Sequence, residues 1–525
     1  MNMAGEMMAG VGVSLFLCCF VLVAQGTAVS RPNIVFILTD DQDVVLEGMR
    51  VMNRTKSLIG DMGATFPNMF VSSPLCCPSR SSILTGKYVH NHRAVNNSVD
   101  GGCASKSWQD GPEKSTFATQ VKTAGYRTFF AGKYLNQYGF PSTGGPGHIP
   151  PGWDWWLGLI GNSRYYDYAL SVNGTRQKHG KLYSKDYLTD IIRNQSLHFL
   201  DSVDASPDPF FMMLSTPAAH SPFDSAPQYE KDFVDWKAPR GGSYNVHGKD
   251  KHWLLRFAPS PMKETSVQYA DNIFRKRMRT LLSVEDLVQA VVSRLEDKGL
   301  LYNTYVIFSS DNGYHYGQFS LPEDKRQLYE FDIRVPLMVR GPGIKAGQTI
   351  TDPVMNIDLM PTIIEMARGK TPADVDGRSL MPHLLSTQLE METGTPEWRS
   401  DLLVEHQGEW ALHAWPKYNC PHWWTMVTGC VPDCVCEDSY NNTYSCVRTL
   451  SSRANLMYCE FQDDENFKEF YNLEKDPHQL NNAINTTDPN ILKFMSERLK
   501  ELVACSGKTC NRSEQNGNGD LNYNT

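Results

Sequence analysis

Five short apolar runs in this chain each break off at a polar cluster, and that repetition restricts the fold more than any other feature. "NIVFIL" (Asn33–Leu38) ends in Thr39-Asp40-Asp41, and "RTFF" (Arg127–Phe130) ends in Ala131-Gly132-Lys133. "PFFMML" (Pro209–Leu214) leads through Ser215-Thr216-Pro217 to His220, "TYVIFSS" (Thr304–Ser310) ends in Asp311-Asn312-Gly313, and "VPLMV" (Val335–Val339) ends in Arg340-Gly341-Pro342-Gly343. Runs this short and this apolar suit strands buried on both faces. Helical patterns lie between them. In "SVEDLVQAVVSRLEDKG", Ser283 and Asp286 form a capping box, Val284, Leu287, Val288, Val291, Val292 and Leu295 form one stripe, and Gly299 ends the helix. Strands alternating with helices predict an α/β sheet covered on both faces. In such sheets ligands gather beyond the carboxyl ends of the strands, so Asp40, Asp41, Lys133, His220, Asp311 and Asn312 are expected on one rim.

The chain begins with an apolar run, Val11–Ala24, followed by small residues, which reads as a secretory signal peptide spanning residues 1–30 and cut between 24 and 30. Nothing later is apolar enough to span a bilayer. Sequons at Asn53, Asn96, Asn173, Asn194, Asn441, Asn485 and Asn511 predict a glycoprotein. Eleven of the 13 cysteines lie beyond the signal, eight of them between Cys420 and Cys510. In an oxidising compartment that predicts disulfides in a C-terminal region; a zinc site at Cys430 and Cys434 is the competing reading. Composition turns polar across Ser386–Trp398, which places a boundary between residues 31–385 and a smaller α+β part, 386–525, with a helix around Asn490–Val503 and a flexible tail after 510. The formal net charge of −8 argues against nucleic acid as a partner and means that an anionic ligand needs a local cluster of Lys and Arg.

The stretch "LCCPSRSSILTG" stands apart. A bridge between Cys76 and Cys77 is poor geometry, because neighbouring Cα atoms lie about 3.8 Å apart, below the roughly 4.4–6.8 Å of bridged cysteines. Pro78 suits the first turn of a helix that stops at Gly86. The cysteine pair then sits at a helix N-terminus, where free N–H groups favour an anion, and Arg80 can grip that anion through two parallel hydrogen bonds. Lys87, His90 and His92 read as helix-end and loop residues.

Taken with "PNIVFILTDDQD", "FFAGKY", "SSDNGYHYGQF", "VPLMVRGPG" and "NIDLMPTIIEMA", the "CCPSRSSILTG" stretch resembles the sulfatase family. The resemblance implies an alkaline-phosphatase-like sandwich: a large mixed sheet flanked by helices, with a smaller C-terminal α+β domain carrying a short antiparallel sheet. It implies that Cys76 is oxidised to Cα-formylglycine, whose hydrate supplies one hydroxyl to attack sulfur and a second through which sulfate is expelled. It further implies a calcium ion, with magnesium as the lesser alternative, held by Asp40, Asp41, Asp311, Asn312 and position 76. Arg80, Lys133, Lys325 and His220 match the family's catalytic groups. Many members carry a histidine after this lysine, where this chain has Tyr134-Leu135-Asn136, so Asn136 is expected to touch the sugar, as is His315. "GKYLNQYG", "DKRQLYEFDIRVPL" and "PDCVCEDSYNNTYSCVRT" resemble the lysosomal branch that removes the 6-O-sulfate of terminal N-acetylglucosamine 6-sulfate from heparan and keratan sulfate. The expected location is the lysosome, with secretion as the alternative, and the expected partners are sulfated glycosaminoglycan oligosaccharides and a second copy in a homodimer. The competing activities are an extracellular endo-acting heparan 6-O-sulfatase, whose long basic insertion this chain lacks, and a phosphodiesterase of the same superfamily.

Overall fold

The computed structural model describes residues 31–203, 208–385, 398–409 and 433–511. The expected signal peptide, the boundary segment, Cys420, Cys430 and the tail beyond Asn511 lie outside the described residues. Six strands form the middle of the main sheet: Asn33–Thr39 (β1), Arg127–Lys133 (β2), Trp155–Leu159 (β3), Phe210–Ser215 (β4), Thr304–Ser310 (β5) and Leu337–Arg340 (β6). Their order in space is β6-β5-β1-β4-β2-β3. The five from β5 to β3 run parallel and β6 runs antiparallel to β5. Short strands extend both edges to ten strands among the described residues.

Every residue of β1 is buried, and alternate side chains point to opposite faces, so both faces are covered. The neighbours of β4 show how. Helix Cys76–Thr85 (α1) is followed by Phe117–Thr123 (α2), Leu188–Ser202 (α3) and Glu264–Asp297 (α4). Phe211 meets Phe117 of α2 at 5.3 Å between ring centroids, while the adjacent Phe210 meets Phe199 of α3 at 5.9 Å. Each buried ring contributes about 1.5–3 kcal/mol, and truncating one to alanine costs about 3–5 kcal/mol.

One helix expectation needs correction. Ser283 caps nothing: α4 starts 19 residues earlier, at Glu264, because Ala270, Ile273, Phe274, Met278 and Leu281 extend the same buried stripe backwards. Its other end is as expected, with Gly299 at φ +63° after Lys298. α1 starts at Cys76, holds Pro78 in its first turn and stops at Gly86, where φ is +66°, as expected; Arg80 sits one turn in.

The C-terminal part is an antiparallel sheet of Asp401–His406 (β7), Tyr444–Leu450 (β8), Asn455–Phe461 (β9) and Lys468–Asn472 (β10), packed against helix Pro489–Val503 (α5), which Asp488 caps. Disulfides join Cys446 to Cys459 and Cys505 to Cys510, and Cys434 and Cys436 are also disulfide-bonded, so Cys434 is no zinc ligand. No helix among the described residues is long and apolar enough to cross a membrane.

Candidate active site

The register of the parallel strands assembles the acidic cluster. Thr39 at the end of β1 lies opposite Ser310 at the end of β5, so Asp40-Asp41 and Asp311-Asn312 leave the sheet side by side. Asp41 turns back with φ +60°, a conformation sparsely used outside glycine. The amides of Asp41 and Asn312 both donate to Asp311 Oδ1, at 2.9 and 2.8 Å. Oxygens of Asp40, Asp41 and Asp311 all lie within 4.8 Å of one another. Like charges this close and this buried repel strongly, and three cations answer them. Lys133 Nζ is 2.7 Å from Asp40 Oδ2, Lys325 Nζ is 2.6 Å from Asp41 Oδ2, and Arg80 Nε is 2.7 Å from Asp311 Oδ2. All three cationic side chains are at most 5 % exposed.

Burial alone raises the pKa of each carboxyl. At Asp40, Lys133, His220, Arg80 and Lys325 together outweigh it and hold the group well below the carboxylate range. At Asp41, Lys325 and His220 do the same to a smaller extent. Asp311 is pushed up to about 7, because burial, aided by the charge of Asp40, outweighs Arg80. Asp311 keeps Arg80 as its ion-pair partner, yet burial leaves its charge only partly compensated. Asn312 donates its Nδ2 to Asp41 Oδ1 at 2.7 Å, while its Oδ1 is buried without a partner. Three carboxylates and an orphaned amide oxygen form a hard oxygen set, which fits Ca²⁺ or Mg²⁺ and disfavours copper or zinc.

Cys76 opens α1 directly against this cluster, its Sγ 3.7 Å from Asp40 Oδ1 and 3.8 Å from Asp41 Oδ1. It is free and fully buried. Its neighbour Cys77 is bridged to Cys103, a pairing that the spacing of the sequence does not announce. Burial pushes the Cys76 thiol up to about 12, so the unmodified side chain is a neutral thiol and a poor nucleophile. Arg80 also donates from Nη1 to the Lys133 carbonyl (3.0 Å) and to Ser215 Oγ (2.8 Å); its Nη2 is buried without a hydrogen-bond partner, 3.5 Å from Asp40 Oδ1. Lys133 reaches this point because Gly132, at φ +114°, lets the strand pass Ser215, whose carbonyl a Cβ would strike.

His220 follows β4, with Nε2 3.9 Å from Asp41 Oδ2. Its Nδ1 lies 2.7 Å from the Ser221 carbonyl, which assigns the proton to Nδ1 and leaves the Nε2 lone pair toward the cluster. Burial, then Lys325, lowers its pKa to about 4. Asn136 is buried and its Oδ1 has no partner. His315 is fully buried, with Nδ1 3.0 Å from both oxygens of Asp332 and Nε2 3.2 Å from Glu437 Oε1. Lys87 pairs with Asp374, His90 joins Glu405 to the Cys505 carbonyl, and His92 bonds Ser82, which suits helix-end and loop roles.

Sequence reasoning missed two groups. Ser163 donates its hydroxyl to Asp40 Oδ2, and nothing in its surroundings marks it out. Arg277 donates to the carbonyls of Asp41 and Ala219 while stacking on Tyr314. It occupies an apolar position of the α4 stripe, between Ile273 and Leu281, and an arginine there was the available signal.

The comparisons agree with the geometry. The family described as Sulfatase matches residues 32–370, and the chain belongs to the sulfatase family, whose members hydrolyse sulfate esters. Among its relatives, the human N-acetylglucosamine-6-sulfatase is 56% identical over 490 residues, covering 93% of this chain and 87% of the relative. The goat N-acetylglucosamine-6-sulfatase is 56% identical over 482 residues, or 91% and 85% of the two chains. A solved structure in complex with its substrate D-glucosamine-2-N,6-O-disulfate superposes with a TM-score of 0.68 at 24% identity, covering 90% of this chain and 97% of that one. The fold is thus the alkaline-phosphatase-like sandwich expected from the sequence.

Proposed function

We propose that this sulfatase removes the 6-O-sulfate of terminal N-acetylglucosamine 6-sulfate in heparan and keratan sulfate, using Cys76 after its oxidation to formylglycine. The observation that carries this reading is the free Cys76 at the tip of α1, within 4 Å of two carboxylates and ringed by buried cations; the sugar follows the 56% identity to the N-acetylglucosamine-6-sulfatases.

Asp40, Asp41, Asp311, Asn312 and position 76 would hold a calcium ion. Such an ion supplies Lewis acidity that makes a neighbouring hydroxyl more acidic and polarises the sulfate. The oxidised side chain supplies the geminal diol that a plain serine or cysteine lacks. Around them the chain's own groups have distinct tasks. The three carboxylates and the three cations Lys133, Lys325 and Arg80 balance, so a divalent ion tips the pocket positive, which favours an anionic ester. Lys133 and Lys325 each spend one ammonium hydrogen on a carboxylate and have others for sulfate oxygens. His220, neutral with its Nε2 lone pair facing inward, accepts the proton of the attacking hydroxyl and delivers it to the departing sugar oxygen. Asn136 would offer its unpartnered Oδ1 to the sugar, and His315, with both nitrogens engaged, would act on the substrate only through the loop it holds.

The same reading gives a catalytic domain over 31–385, a C-terminal domain over 386–525, and delivery through the secretory pathway to the lysosome, with secretion as the alternative. Asn53, Asn173, Asn194 and Asn485 are exposed and open to glycans; Asn511 is half-buried, and Asn96 and Asn441 are buried. Inorganic sulfate release tests the substrate: turnover of N-acetylglucosamine 6-sulfate should exceed that of a 2-O-sulfated uronate, and the reverse order would refute the sugar assignment.

A further inference from the structure

We propose that a basic cavity beside the catalytic centre binds the next, anionic sugar of a sulfated chain, an inference that rests on the glycan substrate proposed above. The cavity measures about 550 Å³, and its walls include Phe140, Tyr168, Arg164, Arg176, Lys178 and His179. Arg164, Arg176 and Lys178 are exposed, and their side chains make no hydrogen bond or ion pair among the described residues. Arg176 and Lys178 alternate along the exposed strand Thr175–Lys178, so they share one side of it. The one carboxylate in the wall, Asp167, is taken by Lys181 at 3.0 Å. In a chain of net charge −8, three exposed cations whose side chains form no ion pair, gathered around one concavity, are a local trap for anions. Guanidinium groups match sulfate and carboxylate oxygens in pairs. Phe140, 41% exposed, offers an apolar ring face to a sugar ring.

The cavity is joined to the reaction centre by the chain itself. Arg164 adjoins Ser163, which bonds Asp40. Phe140 belongs to the loop that carries Asn136 away from Lys133. The two loops are clipped together where Gln137 N donates to Gly161 O (3.0 Å) and Gly161 N to Tyr138 O (2.8 Å). The loops that carry Asn136 and Ser163 thus also line the cavity, and the proposed subsite seats the sugar next to the one at Cys76 against that wall. A second cavity, about 530 Å³, shares Arg164 but adds Asp224 and Glu230 to its cations, so it attracts anions less.

The test is the variant Arg164→Ala/Arg176→Ala/Lys178→Ala, all three at exposed positions. Turnover is compared on N-acetylglucosamine 6-sulfate and on a sulfated tetrasaccharide that ends in it. The expected result is a fall of about tenfold or more in kcat/KM for the tetrasaccharide, through KM, with a shallower salt dependence and an unchanged monosaccharide rate. Equal changes on both substrates, or none on either, would overturn the assignment. A second arm titrates a sulfated tetrasaccharide lacking the terminal 6-sulfate. The variant should bind it about tenfold more weakly than wild type, and equal affinity would overturn the subsite. Wild-type protein that releases no sulfate from the monosaccharide contradicts the proposed activity alone, and the titration still decides the cavity.

Discussion

Two buried charge clusters stand a few residues apart in this molecule, and they are built to opposite ends. At the rim of the sheet, Asp40, Asp41 and Asp311 face Lys133, Lys325 and Arg80, yet Asn312 Oδ1 and Arg80 Nη2 have no hydrogen-bond partner and Asp311 is pushed up to about 7. Just beyond, His315 is held between Asp332 and Glu437, and although burial alone would lower its pKa, these two carboxylates raise it well above the ordinary value. The second cluster is complete: Asp332 Oδ2 also accepts from the Gln327 amide, and Gln327 Nε2 donates to Glu437. It ties the C-terminal part to the loop that carries Lys325. Incomplete satisfaction in a buried polar network is costly, so a fold retains it where a ligand completes it. The first cluster is the one we propose as the site, and the second is a clasp.

Substitutions separate the two. The largest effect belongs to Cys76→Ser, which removes the thiol proposed to be oxidised: turnover should drop by about a thousandfold or more while the circular dichroism spectrum stays native. Retained activity would place the nucleophile elsewhere and erase the distinction. Lys325→Ala should come next, costing about 10²–10³ in kcat, with little change in melting temperature when calcium is present. Glu437→Gln sharpens the contrast from the other side. It leaves the reacting groups in place and takes one carboxylate from a charged histidine, so it should cost about 2 kcal/mol of stability in urea titrations and less than about tenfold in kcat/KM. If Glu437→Gln instead abolished turnover without destabilising the fold, the clasp would belong to the site.

The last effect concerns acid. Burial, then the charges of His90 and Lys87, lowers the pKa of His92 to about 3, against an ordinary value of 6.5. The unfolded chain therefore takes up this proton first as pH falls, and the fold loses stability progressively between about 6.5 and 3, having its full contribution above that window. His92→Gln should flatten that part of the pH dependence, by at most several kcal/mol across it, as read from urea unfolding at pH 7 and pH 4.5. An unchanged slope would show that His92 charges freely in the fold.

The rim was legible in the sequence because strand ends are local: an apolar run and the polar residues that stop it are neighbours in the chain, and parallel strands bring such ends together. Cys76, Arg80, Asp40, Asp41, Asp311, Asn312, Lys133, Lys325 and His220 do meet. What escaped depends on contacts that sequence spacing does not encode. The Cys77–Cys103 bridge and the Ser163 contact depend on loop residues, Cys103 and Ser163, that approach only after folding. Arg277 was hidden in a helix whose start was misplaced, since a serine followed three residues later by aspartate imitates a cap wherever it falls. His315 lies just after Asp311-Asn312 in the chain, yet both its nitrogens are turned to carboxylates, one of them from the C-terminal part.

The most direct test of the central claim, that a chemically converted Cys76 works beside a hard cation, is the mass of the peptide carrying position 76 from active enzyme. The account predicts a formylglycine aldehyde or its hydrate, with activity rising in proportion to its fraction. Fully active protein in which that residue is an unmodified cysteine would contradict it.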